Sequence, residues 1–311
     1  MMNWRVLLMS FVRRGNLKSI YKQNLERQYE GTEVTIKCEM QENAMKIFQF
    51  HVQNNPKYRE FLDSKGFDYH NLKNIIWENI PIITKDDLRK YYPEIKSETY
   101  NYTSSGGSTS IPLQYPASKE SALFIWPAHW TMQQICGGRP YDKILMLMAY
   151  GNVKKTITKR IYHALSNFYT FNSFTMTEKQ MENMCELIQN KEIKFIYGYS
   201  SAINQFLRFL KIKNIILPLK GIFTTSENKI NSSYSLARDY CHCDVFDQYG
   251  AHDGDVFAFE CEEHAGLHIL HDWSTVEVIN NEIILTAVKN KAFPFIRYQV
   301  GDVSLGEKLI P

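Results

Sequence analysis

The stretch of this sequence best suited to chemistry is Ser104-Ser105-Gly106-Gly107-Ser108-Thr109-Ser110-Ile111-Pro112, in which nine residues hold two glycines and five hydroxyl side chains. It has almost no apolar surface to bury. Glycine lets backbone N–H groups turn inward and approach a ligand, and Ser/Thr hydroxyls add rotatable donors, so the loop suits a polyphosphate. A solvated Ser/Gly linker has the same composition, and the two readings stand side by side. The loop lacks the lysine of a Walker A motif, which argues against an ordinary P-loop ATPase.

A second set of reactive side chains lies further on: Cys241, Cys243, His252, Cys261, His264 and His268. Zinc takes such ligands. Cys241-x-Cys243 is tight for a metal loop, so His252, Cys261, His264 and His268 are the better quartet. The competing reading is that the cysteines are small buried apolar residues and the histidines structural.

The elements that must position these residues follow from periodicity. Residues 17–62 read as helical, with Glu39 to His51 near helical spacing and Asn54-Asn55-Pro56 as a stop. Thr84 is an N-cap, with Asp87 three residues on. Leu113-Gln114-Tyr115 reads as a short strand. Ser118 to Cys136 carries helical spacing, with Pro127 expected to break or kink a continuous helix. Asp142–Met148 is a buried strand, 153–169 a helix, Phe171–Phe174 a short extended piece and Thr177–Asn190 a helix. Ile193–Tyr197 is a strand, Gly198-Tyr199-Ser200 a turn, Ser201–Leu210 a helix, Gly221–Thr225 a strand, Asn231–Tyr240 a helix and Asp244–Tyr249 a strand. Alternation from about 118 to 250 predicts an α/β fold with a mostly parallel sheet and covering helices. Ligands in such sheets sit at the carboxyl ends of strands. From Val256 the pattern becomes antiparallel β, with Asn280-Asn281 as a tight hairpin turn. The expected divisions are a helical region 1–95, an α/β nucleotide-binding core 96–255 and an antiparallel β subdomain 256–311.

Composition narrows the classes. A chain of 311 residues with 44% hydrophobic and 22% charged residues is ordinary for a globular protein. A net charge of +3 and the lack of a long basic run give no case for nucleic acid. Six scattered cysteines are too few for a disulfide scaffold and favour a reducing cytoplasm. The apolar run from Trp4 to Val12 has no small-x-small cleavage site and is too short to span a bilayer. It reads as a short amphipathic helix that docks on the body or on a membrane surface.

Five loop motifs now lie in order: Ser104–Pro112, Gly198-Tyr199-Ser200-Ser201, Thr224-Thr225-Ser226-Glu227, Tyr249-Gly250-Ala251-His252-Asp253, and Phe295-Ile296-Arg297-Tyr298-Gln299-Val300-Gly301-Asp302. In this order and spacing they resemble the adenylate-forming, acyl-activating enzymes, and within them the phenylacetate–CoA ligase branch with its capsule-biosynthesis relatives. Pro81-Ile82-Ile83-Thr84-Lys85-Asp86-Asp87-Leu88 and Glu260-Cys261 followed by Gly266-Leu267-His268-Ile269 also look like that branch. The resemblance runs from about Asn55 to Asp302.

The resemblance implies the large N-terminal domain of such an enzyme, with the antiparallel β region at its end. It implies an activity that joins a small-molecule carboxylate to ATP, releases pyrophosphate and passes the acyl group to a thiol, usually coenzyme A. Ser105, Gly106, Gly107, Ser108 and Thr109 would hold the phosphates. Asp253 would help bind Mg²⁺, Tyr249 and Gly250 would lie beside the adenine, and Asp302 would accept hydrogen bonds from the ribose hydroxyls. Arg297 would contact a phosphate or carboxylate, and Glu227 would flank the nucleotide. Tyr199, Ser200 and Ala251 would line the acyl pocket. The sequence departs from the family at Ser110, where glycine is usual, at His252 and Asp253, which replace a hydroxyl residue and Glu, and at Gln299, where Arg or Lys is common. The family's small mobile C-terminal domain has no counterpart before Pro311, so the resemblance implies a fragment, completion by a separate polypeptide, or loss of the full reaction; the expected partners are that completing subunit or a second copy in a homodimer. The rival expectation is a nucleotide or acyl binder, linked to polysaccharide biosynthesis, that does not complete the reaction.

Overall fold

A computed structural model describes residues 4–29, 32–93, 101–104, 112–149, 163–304 and 309–310. In chain order the helices are α1 (Trp4–Val12), α2 (Leu17–Tyr29), α3 (Glu33–Asn54), α4 (Pro56–Ser64), α5 (Lys85–Tyr91), α6 (Lys119–Gln134), α7 (Glu178–Lys191), α8 (Ser200–Lys213) and α9 (Ser232–Cys241). The strands are β1 (Asn101–Ser104), β2 (Gln114–Ala117), β3 (Ile144–Met148), β4 (Phe168–Asn172), β5 (Phe195–Tyr199), β6 (Gly221–Thr225), β7 (Val245–Ala251), β8 (Val256–Glu260), β9 (Leu267–Ile269), β10 (Ser274–Ile279), β11 (Glu282–Ala287), β12 (Tyr298–Val303) and β13 (Leu309–Ile310). The chain forms two compact units from discontinuous segments, where the sequence reading had contiguous ones. The first comprises Met1–Tyr21, His129–Tyr249 and Phe259–Ala265; the second comprises Lys22–Ala128, Gly250–Ala258 and Gly266–Pro311.

The first unit is the α/β layer. Its strands run parallel in the order β4-β3-β5-β6-β7. β3, β5 and β6 are near-continuous apolar runs, the pattern of strands covered on both faces. α7 buries Met181, Met184, Cys185 and Ile188, and α8 buries Ile203, Phe206, Leu207 and Leu210, each at helical i, i+3, i+4, i+7 spacing. These side chains form one core with Leu145, Ile196 and Ile222 of the sheet. Cys185 and Cys241 belong to that core, and burial pushes their thiols up to about 11 and about 12. Gly198 sits opposite Leu147, and a Cβ there would lie 2.3 Å from the Leu147 carbonyl oxygen, so only glycine lets β3 and β5 close to hydrogen-bonding distance. α1 belongs to this unit, with Val6 and Met9 buried.

The second unit is built on the antiparallel sheet β10-β11-β12. Asn280 and Asn281 take φ of 52° and 67°, the two left-handed residues of a tight hairpin turn that joins Ile279 to Glu282. Asn55 ends α3 and its side chain caps α4, where Pro56 fills the first helical position. Thr84 and Asp87 form a reciprocal capping box on α5. The residue before that cap, Ile83, is tied to the start of β12. Its N–H donates to the Arg297 carbonyl at 3.1 Å, and its carbonyl accepts from Gln299 N–H at 3.0 Å.

Three expectations change. α6 runs through Pro127 as one helix. Of the expected 153–169 helix, residues up to 162 lie outside the described residues and 163–166 are helical; only Phe168 and Tyr169 fall in strand β4, where Phe168-Tyr169-Thr170-Phe171 carries aromatic and β-branched side chains that suit a pleat. The antiparallel sheet spans Ser274 to Val303 rather than all of 256–311; β9 pairs in parallel with β13. Alternation predicts a strand but carries no information on its partner's direction.

Candidate functional site

In the first unit the ends of β5, β6 and β7 carry the polar residues. β5 runs straight into α8, so Tyr199 ends a strand and Ser200 starts a helix with no turn between. The first backbone N–H groups of a helix have no partner within it. Glu227 fills that role: its Oε2 accepts from Ser201 N–H at 2.7 Å and its Oε1 from Ser201 Oγ at 3.0 Å. A carboxylate there also meets the positive end of the helix dipole. Ser200 Oγ donates to the Glu227 carbonyl at 3.4 Å. Glu227→Ala is therefore expected to cost about 1 kcal/mol, seen as a lower urea midpoint. An unchanged midpoint would mean that the cap contributes nothing.

Behind this rim is a buried polar network the sequence reading missed. Thr225 Oγ1 and Tyr197 Oη both donate to Gln248 Oε1, at 2.7 and 2.9 Å. Thr224 Oγ1 donates to Asp247 Oδ1 at 3.0 Å. Asp247 N–H donates to Glu260 Oε2 at 2.8 Å, and Glu260 also pairs with Lys229. Glu260 is only 1% exposed. Buried carboxylates need such partners. The available signal was a glutamate ending the apolar run Val256-Phe257-Ala258-Phe259.

In the second unit the turn after β7 carries two carboxyl groups. Asp253 is buried, accepts from Tyr298 Oη at 3.0 Å and has Lys85 Nζ at 3.8 Å. Burial raises its pKa, the charge of Asp302 adds to that, and Tyr298 and Lys85 act against it. Asp302 is exposed on β12, the strand that starts at Tyr298. Gly254 holds φ of 128°, and a Cβ there would meet Leu285 at 2.8 Å. Asp255 was missed, although Asp253-Gly254-Asp255 is readable as a turn bearing two carboxyls. It accepts from Ser121 Oγ at 2.5 Å, and burial pushes its carboxyl up to about 6.

Other assignments fall differently. Arg297 is 4% exposed, and its guanidinium Nη1 donates to the carbonyls of Glu78 and Ile80 at 2.5 and 2.7 Å. Its Nη2 pairs with Glu277 at 3.2 Å. Its Nη atoms are held by the protein's own groups, while the buried Nε has no hydrogen-bond partner; a structural role therefore stands beside the expected contact with a phosphate or carboxylate of the ligand. Among the described residues no group of three or more His, Cys, Asp or Glu is placed to hold a metal ion. The zinc quartet His252, Cys261, His264 and His268 is therefore not gathered: His264 instead lies 3.2 Å from Glu260 Oε2 and stacks on Phe246, while His252 is exposed. Tyr249 and Ala251 are half-buried and Gly250 is exposed, all at the end of β7. Ser105, Gly106, Gly107, Ser108 and Thr109 lie outside the described residues.

No protein-family model matches the chain, and no curated protein matches it in sequence. Solved structures do. 2-Hydroxyisobutyryl-CoA ligase, in complex with 2-HIB-AMP and CoA in the thioesterification state, superposes over 85% of this chain with a TM-score of 0.64 at 16% identity. The fold is shared with part of 2-hydroxyisobutyryl-CoA ligase. An open conformation of that ligase with the same two molecules gives a TM-score of 0.63 over 85% of this chain, again at 16% identity. This chain spans 62% and 63% of the ligase's length in the two comparisons. The α/β class expected from the ordered loops, a mostly parallel sheet with covering helices and an antiparallel β region, is the one the ligase fold contains.

Proposed function

We propose that the chain is the large part of an ATP-dependent ligase that converts a carboxylate to an acyl-adenylate and passes the acyl group to coenzyme A. The observation that supports this is the fold shared with a ligase crystallised with 2-HIB-AMP and CoA. Both steps are nucleophilic displacements, in which a protein acts mainly by positioning and by stabilising charge. On this reading Asp302, exposed beside Gly301, accepts hydrogen bonds from the ribose hydroxyls. Tyr249 and Gly250 lie against the adenine, Ser105 to Thr109 hold the phosphates, and Tyr199, Ser200 and Ala251 border the acyl group. Glu227 acts through the seating of α8 rather than on the nucleotide. The lead-in Pro81 to Leu88 favours the phenylacetate–CoA ligase branch and its capsule-biosynthesis relatives.

The residues fit a magnesium ion that arrives with the nucleotide, because Mg²⁺ is commonly held by one or two carboxylates plus substrate phosphates. Asp253 is the carboxylate on offer. Its pKa is raised by burial and further by Asp302, and a cation beside the pair would relieve that repulsion. Magnesium would supply charge neutralisation on phosphate oxygens. Tyr298 Oη and Lys85 Nζ both lie against Asp253 Oδ2, at 3.0 and 3.8 Å.

Calorimetric titration with ATP·Mg²⁺ tests the reading. Binding heat is expected from the wild-type chain, with affinity about tenfold or more lower in Asp302→Ala, since hydrogen bonds to a carboxylate are among the stronger ones. No heat from the wild type would overturn it. The engagement of Arg297 and Glu227 by the protein's own backbone favours a second reading, a chain that binds nucleotide and acyl group without turning them over. Carboxylate-dependent pyrophosphate exchange by the purified chain would exclude that alternative.

A further inference from the structure

We propose that α1 seats the protein on an anionic lipid surface. The helix has two apolar faces with different fates. Val6 and Met9 are 5% and 1% exposed. Trp4, Leu7 and Phe11, spaced by three and four residues along one side, are 58%, 54% and 82% exposed, and Val12 beside them is 56% exposed. The orientation is fixed by Arg5. Its Nη1 donates to the carbonyls of Ala164 and Leu165 and to Asn167 Oδ1, at 2.8, 2.9 and 2.8 Å. The outward stripe is therefore a held surface, with large side chains that contribute nothing to the core.

Charge selects the occupant. The first 25 residues contain Arg5, Arg13, Arg14, Lys18 and Lys22 and no aspartate or glutamate. Arg14 and Lys18, which follow the helix, are exposed. A short helix with Trp, Leu and Phe on one side and cations beside them is the pattern that lies in the headgroup layer, with its apolar side chains reaching the acyl boundary. Nine residues make a helix about 14 Å long, which can lie in that layer but not cross it. No described helix is long and apolar enough to cross a membrane. Three apolar side chains alone hold weakly, so attachment depends on the attraction of the cations for anionic headgroups. A protein groove could also cover the stripe, but it would have to supply acidic groups around an apolar slot. The bilayer presents both on a flat surface.

Sedimentation of the full chain with vesicles tests this. Wild type is expected to pellet with vesicles of phosphatidylglycerol and phosphatidylcholine, to release in high salt, and to stay in solution with phosphatidylcholine alone. Leu7→Glu with Phe11→Glu removes the pelleting. Arg14→Glu with Lys18→Glu weakens it by at least about fivefold per residue, the worth of one cation near such a surface. These side chains are exposed, so thermal melts and ATP titration of both double variants should match wild type, which separates this result from the ligase reading. The proposal is overturned if wild type fails to pellet or pellets equally with neutral vesicles. It is equally overturned if the Leu7/Phe11 variant pellets like wild type, or if sedimentation velocity shows a dimer, abolished by that variant, in a protein that ignores vesicles.

Discussion

Arg297→Ala is expected to destabilise the protein by about 4 kcal/mol, the typical cost of removing one partner from a buried ion pair. The side chain links two parts of the second unit. Its Nη1 donates to the carbonyls of Trp77, Glu78 and Ile80, at 3.4, 2.5 and 2.7 Å, the first of which also accepts from Ile80 N–H at 3.1 Å. Its Nη2 meets Glu277 of β10, whose second oxygen accepts from Trp77 Nε1 at 3.1 Å. Truncation takes the cation from Glu277 and the side-chain donor from the Glu78 and Ile80 carbonyls, and each buried orphan costs about 1–3 kcal/mol. Arg297→Lys should recover only part of the loss, because a single ammonium cannot reproduce a planar fork with several fixed donors. Urea denaturation followed by circular dichroism gives the comparison. A ligand-contact role makes the opposite forecast: stability within about 0.5 kcal/mol of wild type and a selective loss of ATP affinity. If Arg297→Ala melts like wild type, the structural assignment fails.

The case of Arg297 shows where sequence reading stops. Local signals were legible wherever the physics is local. Asn55-Pro56 closes one helix and opens the next, Thr84 and Asp87 cap each other, and Asn280-Asn281 tolerates left-handed backbone. The run of helical and strand periods from 118 to 250 also sufficed for the class of fold. Arg297 lies 217 residues from the Ile80 carbonyl it binds, and no spacing rule spans that distance. Glu227 is 26 residues from the helix-start N–H that it accepts, so no local spacing announces the cap. The zinc quartet failed for a related reason. Cysteine and histidine near one another in sequence say nothing about convergence, and His264 already has Glu260 and Phe246 as neighbours. Asp253 is held by Tyr298 at the start of β12, the strand that also carries Asp302, a link no local spacing reveals.

His51 and Asp255 should give the protein opposing pH dependences that nearly cancel. His51 is 1% exposed, and burial lowers its pKa to about 4. Its hydrogen bonds demand the neutral ring. Nε2 lies 2.9 Å from the Asn290 carbonyl and so carries the proton, and Nδ1 lies 3.3 Å from Asn55 Nδ2 and so accepts. Asn55 cannot turn over, because its Oδ1 already accepts from Tyr58 N–H and Tyr92 Oη. Asp255 accepts from Ser121 Oγ at 2.5 Å, and its pKa is raised to about 6 by burial. The signs follow from proton counts in the two states. Between pH 6.5 and about 4 the unfolded chain protonates His51 before the folded one does, so that group's contribution is lost as pH falls. Between about 3.8 and 6 the folded chain holds a proton on Asp255 that the unfolded chain releases, so that group's contribution is lost as pH rises. Each shift spans roughly 2 pH units and corresponds to about 3 kcal/mol. Relative to wild type, Asp255→Asn should therefore become more stable as pH rises from 4 to 6, and His51→Gln less stable over the same interval. Urea midpoints at half-unit steps of pH read both slopes. Difference slopes of the same sign, or of no size, would show that these two buried groups do not set the acid response of the second unit.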